Sequence, residues 1–261
     1  MDILDSTRVE IRLASRYQSI VDKFLIEKLW NYLSYRNRHR ILSAVERKVD
    51  LFFDGEKLLS VSVPETVFNP YKGSASAKVI ELILSEKVRV KDRRVIDLGC
   101  GSGVVGLTAI HMGAASVLFS DVNPHVASLK DNANIRSQDG FAIQDGLERT
   151  VSEGADPFDL VIALLPMMVE EEVVSSSYEA GIMRPPDLLM RFLEQSHRVL
   201  RPGGQIVFYT SISSASGILA YHEFSSRLRD YFDFDTYRIL AHQHVRSMGG
   251  DHFIFEATKR A

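Results

Sequence analysis

The chain of 261 residues has a single cysteine, Cys100, so an internal disulfide is excluded. No proline occurs before Pro64, which leaves the first sixty residues without the strongest helix breaker. Long apolar runs are lacking: the longest, 161–169, is interrupted by Pro166 and is too short to cross a bilayer. The opening residues, Met1 to Ser6, lack the basic and then apolar pattern of a secretory leader, so a cytoplasmic protein without a membrane partner is expected. Charge of one sign is also scarce. Residues 1–50 hold 10 Lys+Arg against 7 Asp+Glu, and the remainder hold 21 against 27, giving +3 and −6 and a net −3. That is no strong nucleic-acid footprint. With 45% hydrophobic and 25% charged residues, the chain has ample apolar material for a core.

What is present centres on residues 94–106. Val95, Ile96 and Leu98 form a short β-branched and apolar run, and Gly99, Gly101 and Gly103 follow at once. The pattern predicts a strand, a tight turn and a helix opening near Ser102, whose free N–H groups face a nucleotide-like ligand. Gly101 to Gly106 also fits the dinucleotide pattern G-x-G-x-x-G, so a nicotinamide-dependent oxidoreductase is one reading. Asp97 separates the readings: a carboxylate just before the first glycine repels a pyrophosphate but can pair with a cationic amino or sulfonium group. Cys100, with no His or Lys beside it in sequence, reads as a small filler rather than a nucleophile.

The segment Asp-Leu-Gly-Cys-Gly-Ser-Gly strongly resembles the first motif of class I S-adenosylmethionine (SAM) dependent methyltransferases. Phe68, Asn69 and Pro70 ahead of a helix from about Ala77 to Ser85, capped by Ser74 or Ser76, are similar to the region before that motif in the small-domain group. That group includes ribosomal-protein and release-factor methyltransferases. The resemblance implies that Phe68 lines the ligand; burial in the core is the alternative. Asp121 ends an apolar run about twenty residues beyond the glycines, the spacing of a ribose-binding carboxylate. Asp121, Asn123 and Pro124 then resemble the second methyltransferase motif. Asp145, after the short strand at Phe141, stands where the resemblance places the group that meets the adenine amino group.

Residues 157–168 look like the fourth motif but depart from it. Leu164-Leu165-Pro166-Met167 stands where Asn-Pro-Pro-Tyr serves amide, amine and base N-methylation. The departure weighs against a glutamine or adenine acceptor and favours an apolar acceptor pocket to which Met167 and Met168 contribute. The cofactor-binding set implied is Asp97, Gly99, Gly101, Gly103, Asp121, Asn123, Asp145 and Leu164. The acceptor set is Phe68, Pro166, Met167 and Tyr178. No general base can be chosen among Glu170, Glu171, Glu172, Tyr178, His222 and His242. His242, His244 and His252 are candidate metal ligands, but with no cysteine nearby and no carboxylate at ligand spacing no metal is expected.

Leu200-Arg-Pro-Gly-Gly204 is very like the methyltransferase segment leading into the fifth strand. Two strands near 234–241 and 252–257 follow a helix of 216–231, as expected if the last strand inserts antiparallel beside the fifth. The expected architecture is therefore α/β, a Rossmann-like, seven-stranded, mostly parallel sheet with an antiparallel last strand over residues 65–261. Residues 1–64 read as an extension of helices, with Ile11 and Leu13 in the helical pattern, followed by a hairpin turning at Asp54-Gly55. It serves as a lid, a substrate selector or a homodimer contact. The expected function is methyl transfer from SAM to N, O or C of a small metabolite or natural-product intermediate. RNA or ribosomal-protein methylation is the alternative, supported by the small-domain resemblance and by Arg36 to Arg40. A SAM-binding protein without catalysis is a further one.

Overall fold

The computed structural model describes residues 9–13, 48–63, 67, 70, 74–121, 141–143, 157–164, 168–169, 183–184, 188–213, 226–245 and 250–260. Its strands are β1 (Val9–Leu13), β2 (Lys48–Phe53), β3 (Glu56–Ser62), β4 (Arg94–Leu98), β5 (Ser116–Asp121), β6 (Phe141–Ile143), β7 (Phe158–Ala163), β8 (Met168–Val169), β9 (Met183–Arg184), β10 (Leu200–Ser213), β11 (Phe232–Val245) and β12 (Gly250–Lys259). Its helices are α1 (Ala75–Leu84), α2 (Val104–His111) and α3 (Leu188–Val199), and residues 226–231 are also helical. Among the described residues no helix is long and apolar enough to cross a membrane.

Seven strands form the main sheet in the order β11-β12-β10-β7-β4-β5-β6. The pairs from β10 to β6 are parallel, while β12 is antiparallel to both β10 and β11. The sheet is therefore the mostly parallel, seven-stranded one expected, and β12 inserts antiparallel between β10 and β11.

Alternate residues of the central strands serve two apolar layers, which is why β7 reads as an unbroken apolar run. Leu160 and Ile162 join Val95, Val117, Phe119 and Val207 in a cluster with α1 and α2. Val161 and Ala163 join Ile96, Leu98, Ile206, Phe208 and Phe255 in a second cluster under α3. Ser74 caps α1, its hydroxyl accepting from the Ala77 amide at 3.2 Å.

The hairpin forms where expected. Asp54 at φ 50° and Gly55 at φ 85° give the two-residue turn with both central residues left-handed, matching the twist of the flanking strands. Val49, Leu51, Val61 and Val63 continue the apolar cluster of α1 and α2. One expectation is corrected: residues 9–13 are not helical but a third strand, β1, antiparallel to β2. Val9, Ile11 and Leu13 recur every second residue, the period of a strand. The helices expected elsewhere in 14–47 and the Asn-rich helix after Asp121 lie outside the described residues.

Candidate cofactor site

The carboxyl ends of β4, β5 and β7 come together where an open α/β sheet binds its ligands. β4 ends at Leu98, and the chain turns through Gly99, Gly101 and Gly103 with φ of 67°, 52° and 74°. A side chain at any of these positions is strained, so the turn can be this tight only in glycine. The amides of Gly99 and Cys100 both donate to the Ser120 carbonyl, at 2.7 and 3.1 Å, which ties the loop to the end of β5. Gly103 then caps α2, which begins at Val104.

Two carboxylates flank this loop. Asp121 is half-buried at the end of β5, and its Oδ2 accepts from the Gly101 amide at 2.8 Å. A carboxylate can accept from several donors at once, so this bond is compatible with ligand hydroxyls. Asp97 is buried on the α2 side of β4, and its Oδ2 accepts from the Gly106 amide at 2.8 Å. Burial pushes the Asp97 carboxyl up to about 7; the Gly106 bond works against that rise and the charge of Asp121 adds to it. Burial, with the charges of Asp97 and Asp121 adding, also pushes the Cys100 thiol well up. That leaves it a packing residue without nucleophilic character.

Gly106 has the tightest surroundings in the site. A Cβ there would stand 2.4 Å from Phe119 Cε1 and 2.9 Å from Asp97 Oδ2. Its absence lets α2 close on the sheet and brings the amide to Asp97. The third glycine of the pattern thus serves helix packing, a role not foreseen from sequence although its spacing was visible.

Leu164 follows β7 at the carboxyl edge, half-buried against the α1 and α2 cluster. Phe68, Asn123, Asp145, Pro166, Met167 and Tyr178 lie outside the described residues, as do Glu170, Glu171, Glu172 and His222. Val67 is buried beside the loop, with Cγ1 3.5 Å from where a Gly101 Cβ would lie. Of the candidate histidine ligands, His242 pairs through Nε2 with Asp251 at 2.8 Å and stacks on Phe253. His252 instead is buried and bonds through Nδ1 to the Tyr209 hydroxyl. The register sets His242 opposite Phe253 and Gln243 opposite His252, so His242 and His252 face opposite sides of the sheet.

The site suits a nucleoside carrying positive charge. Among the described residues, a Cβ at Gly99 would meet nothing within 4 Å, and the acidic side chains bonded to the loop and to α2 beside it are Asp121 and Asp97. Together with the strand order this defines a nucleoside-binding α/β domain of the methyltransferase type. The model of the methyltransferase small domain family matches residues 74–220, more than half of the chain, and the chain belongs to that family. The family's cofactor is SAM, which takes the place of the nicotinamide reading.

The ribosomal protein L11 methyltransferase of Aliivibrio salmonicida is 27% identical over 139 residues, covering 52% of this chain and 40% of that protein. Its namesake from Sorangium cellulosum is 27% identical over 157 residues, covering 59% of this chain and 42% of that protein. The match thus spans about two fifths of the length of these relatives. The T. thermophilus 16S rRNA methyltransferase, solved with SAM and guanosine, shares the fold at a TM-score of 0.52 and 23% identity, covering 79% of this chain and 48% of that one.

Proposed function

We propose that this chain transfers the methyl group of SAM to an amine of a ribosomal protein. The observation that carries the reading is the likeness to proteins named ribosomal protein L11 methyltransferase, which favours a macromolecule over the small metabolite expected from the sequence. The residues at Leu164 support an amine in particular. An amide or nucleobase nitrogen has its lone pair delocalised and benefits from a carbonyl that accepts its N–H; an aliphatic amine, once deprotonated, has a localised lone pair and needs mainly positioning. Leucine stands where that carbonyl would come from asparagine.

The cofactor supplies an electrophilic methyl carbon on a sulfonium. Asp121 accepts from the ribose hydroxyls while holding Gly101, and the glycine turn leaves room for the ligand to lie against the backbone. Asp97 lies beneath the loop and adds negative charge there only as pH rises through about 7, where it favours a cation over a pyrophosphate.

The test is incubation of the full chain with methyl-labelled SAM and three fractions: protein extracted from undermethylated ribosomes, rRNA, and a small-metabolite extract. Label in ribosomal protein is expected. Label only in rRNA or only in metabolites overturns the acceptor, and failure to bind SAM overturns the reading altogether.

A further inference from the structure

The net charge of −3 conceals a local excess of the opposite sign. Between residues 86 and 94 stand five cations, Lys87, Arg89, Lys91, Arg93 and Arg94, against two carboxylates, Glu86 and Asp92. This segment joins α1 to β4 at the amino edge of the sheet, with the length of β4, about 16 Å, between it and the cofactor loop.

The segment is built to present its charges. Val88 and Val90 are 1% and 3% exposed, whereas Lys87, Arg89 and Lys91, which alternate with them, face solvent. The valines thus anchor the chain in the core and the cations are turned outward. Backbone bonds fix both ends: the Val88 amide donates to the Leu82 carbonyl at 2.9 Å, the Asp92 amide to Gly113 at 2.8 Å and the Arg93 amide to Val90 at 3.1 Å. Successive exposed cations, two residues apart, are spaced by no more than about 7 Å along the backbone. Among the described residues Lys87, Arg89 and Lys91 have no ion pair.

Further guanidinium groups adjoin this strip from within the sheet. Arg93 is half-buried and donates through Nη1 to Gln205 on β10, while the exposed Arg201 pairs with Asp159. Burial holds the Arg93 guanidinium below its ordinary value; Asp159 and Glu256 oppose that, and the like charges of Arg201 and Arg89 add to it. Three guanidinium groups therefore lie within reach of one another's charge. The two carboxylates near them are already engaged, Asp159 with Arg201 and the Arg94 amide, Glu256 with Arg238.

A lone phosphate suits this surface poorly, because each exposed ion pair in open water contributes little. A polyanion engages several cations at once and gains from the release of its condensed counterions. An anionic membrane is disfavoured, since insertion needs apolar side chains at the same surface. Among the described residues the exposed large hydrophobic side chain is Ile239, on β11 at the outer edge of the sheet. Resting on the ribosomal reading above for the identity of the polyanion, we propose that Lys87, Arg89, Lys91, Arg93 and Arg201 dock the phosphate backbone of RNA at the amino edge. Docking there leaves the carboxyl edge to the cofactor and the acceptor.

The test titrates the full chain into a fluorescent single-stranded RNA of about ten nucleotides at several salt concentrations. Log K is expected to fall against log salt with a slope of about −2 to −3.5, as for three to five phosphates. The triple variant Lys87→Gln, Arg89→Gln, Lys91→Gln changes exposed positions alone. It is expected to lose at least about tenfold in RNA affinity and to bring the slope nearer zero by about 2, with SAM affinity within about twofold of the wild type. An unchanged RNA affinity and slope in the triple variant would place the contact elsewhere and overturn the strip. Binding to phosphatidylserine vesicles but not to RNA would overturn it too, as would a lowered Tm in the variant with RNA binding intact, which would leave Lys87 only the role of a cation beyond the α1 terminus. If ribosomal protein is labelled from SAM and RNA does not bind, the strip alone fails. If RNA binds as expected and label enters only metabolites, the docking strip stands and the ribosomal acceptor fails.

Discussion

Asp97 and Gly106 meet across the junction of β4 and α2, the carboxylate accepting the backbone amide at 2.8 Å in a place where a methyl group would collide with Phe119. Gly106→Ala is therefore expected to push α2 away from the sheet and to cost about 1–3 kcal/mol of stability. For a chain of this size each kcal/mol lowers Tm by about 2–4 °C. Thermal unfolding of the variant checks this, and Phe119→Leu in the same chain should restore part of the loss by vacating the space where the Cβ collides. An unchanged Tm in Gly106→Ala would contradict the packing described.

Burial of the Asp97 carboxyl, against the opposing effect of the Gly106 bond, makes stability depend on pH in an unusual direction. Asp97 titrates at about 7 in the folded chain against an ordinary 3.8, so between these values the folded state holds a proton that the unfolded state has released. A stabilising contribution is thus fully present below about pH 3.8 and is lost as pH rises through about 7, with an upper limit of roughly 4 kcal/mol. Asp97→Asn keeps an acceptor for Gly106 and abolishes the titration. Denaturant unfolding at about pH 5 and about pH 8 should show the wild-type chain losing stability relative to Asp97→Asn as pH rises. A gain by the wild type would reverse the sign and refute the burial argument.

Asp121 holds the Gly101 amide and, in the proposed site, also binds the ribose, two roles that substitution can separate. Asp121→Ala removes both the bond to the Gly101 amide and the carboxylate proposed to accept from the ribose, and is expected to weaken SAM binding by about ten- to a hundredfold. Asp121→Asn can still hold Gly101 through its carbonyl, so an intermediate loss is expected in calorimetry. If the asparagine variant binds like the wild type, Asp121 acts through the loop alone.

Much of this architecture is legible in the residues because local pattern and tertiary role coincide there. Asp54-Gly55 dictates its turn, and the apolar run of β7 marks a strand buried on both faces. Residues 9–13 form a strand where the sequence suggests a helix, because a short apolar segment next to a longer amphipathic pattern satisfies either period. Contacts across sequence were not legible. The meeting of Tyr209 and His252 depends on β12 inserting beside β10, and the bond of Asp97 to Gly106 depends on how closely α2 approaches. The acceptor is not named by the residues for a different reason: 164–167 lack the asparagine of the fourth motif, and an absent asparagine does not name its replacement.

Asp159 provides the control that separates stability from ligand binding. It sits at the amino edge of β7, where its Oδ2 accepts from the Arg94 amide at 2.8 Å and its Oδ1 pairs with Arg201. Burial works against its charge, but the Arg94 amide and the Arg201 guanidinium outweigh that and hold the carboxyl below its ordinary 3.8. Its contribution is present above that ordinary value and is lost as pH falls through the lower folded one, the reverse of Asp97. Arg201 is exposed, so the ion pair itself is screened and contributes little. Most of the effect of Asp159→Ala should come from the orphaned Arg94 amide, about 1–2 kcal/mol, and Arg201→Ala should cost much less. The amino and carboxyl edges are separated by five residues of β7, about 16 Å, so SAM affinity should stay within about twofold in both variants. A large affinity loss in Asp159→Ala without unfolding would mean that the two edges of the sheet are coupled, and the site could not then be treated as confined to the carboxyl ends.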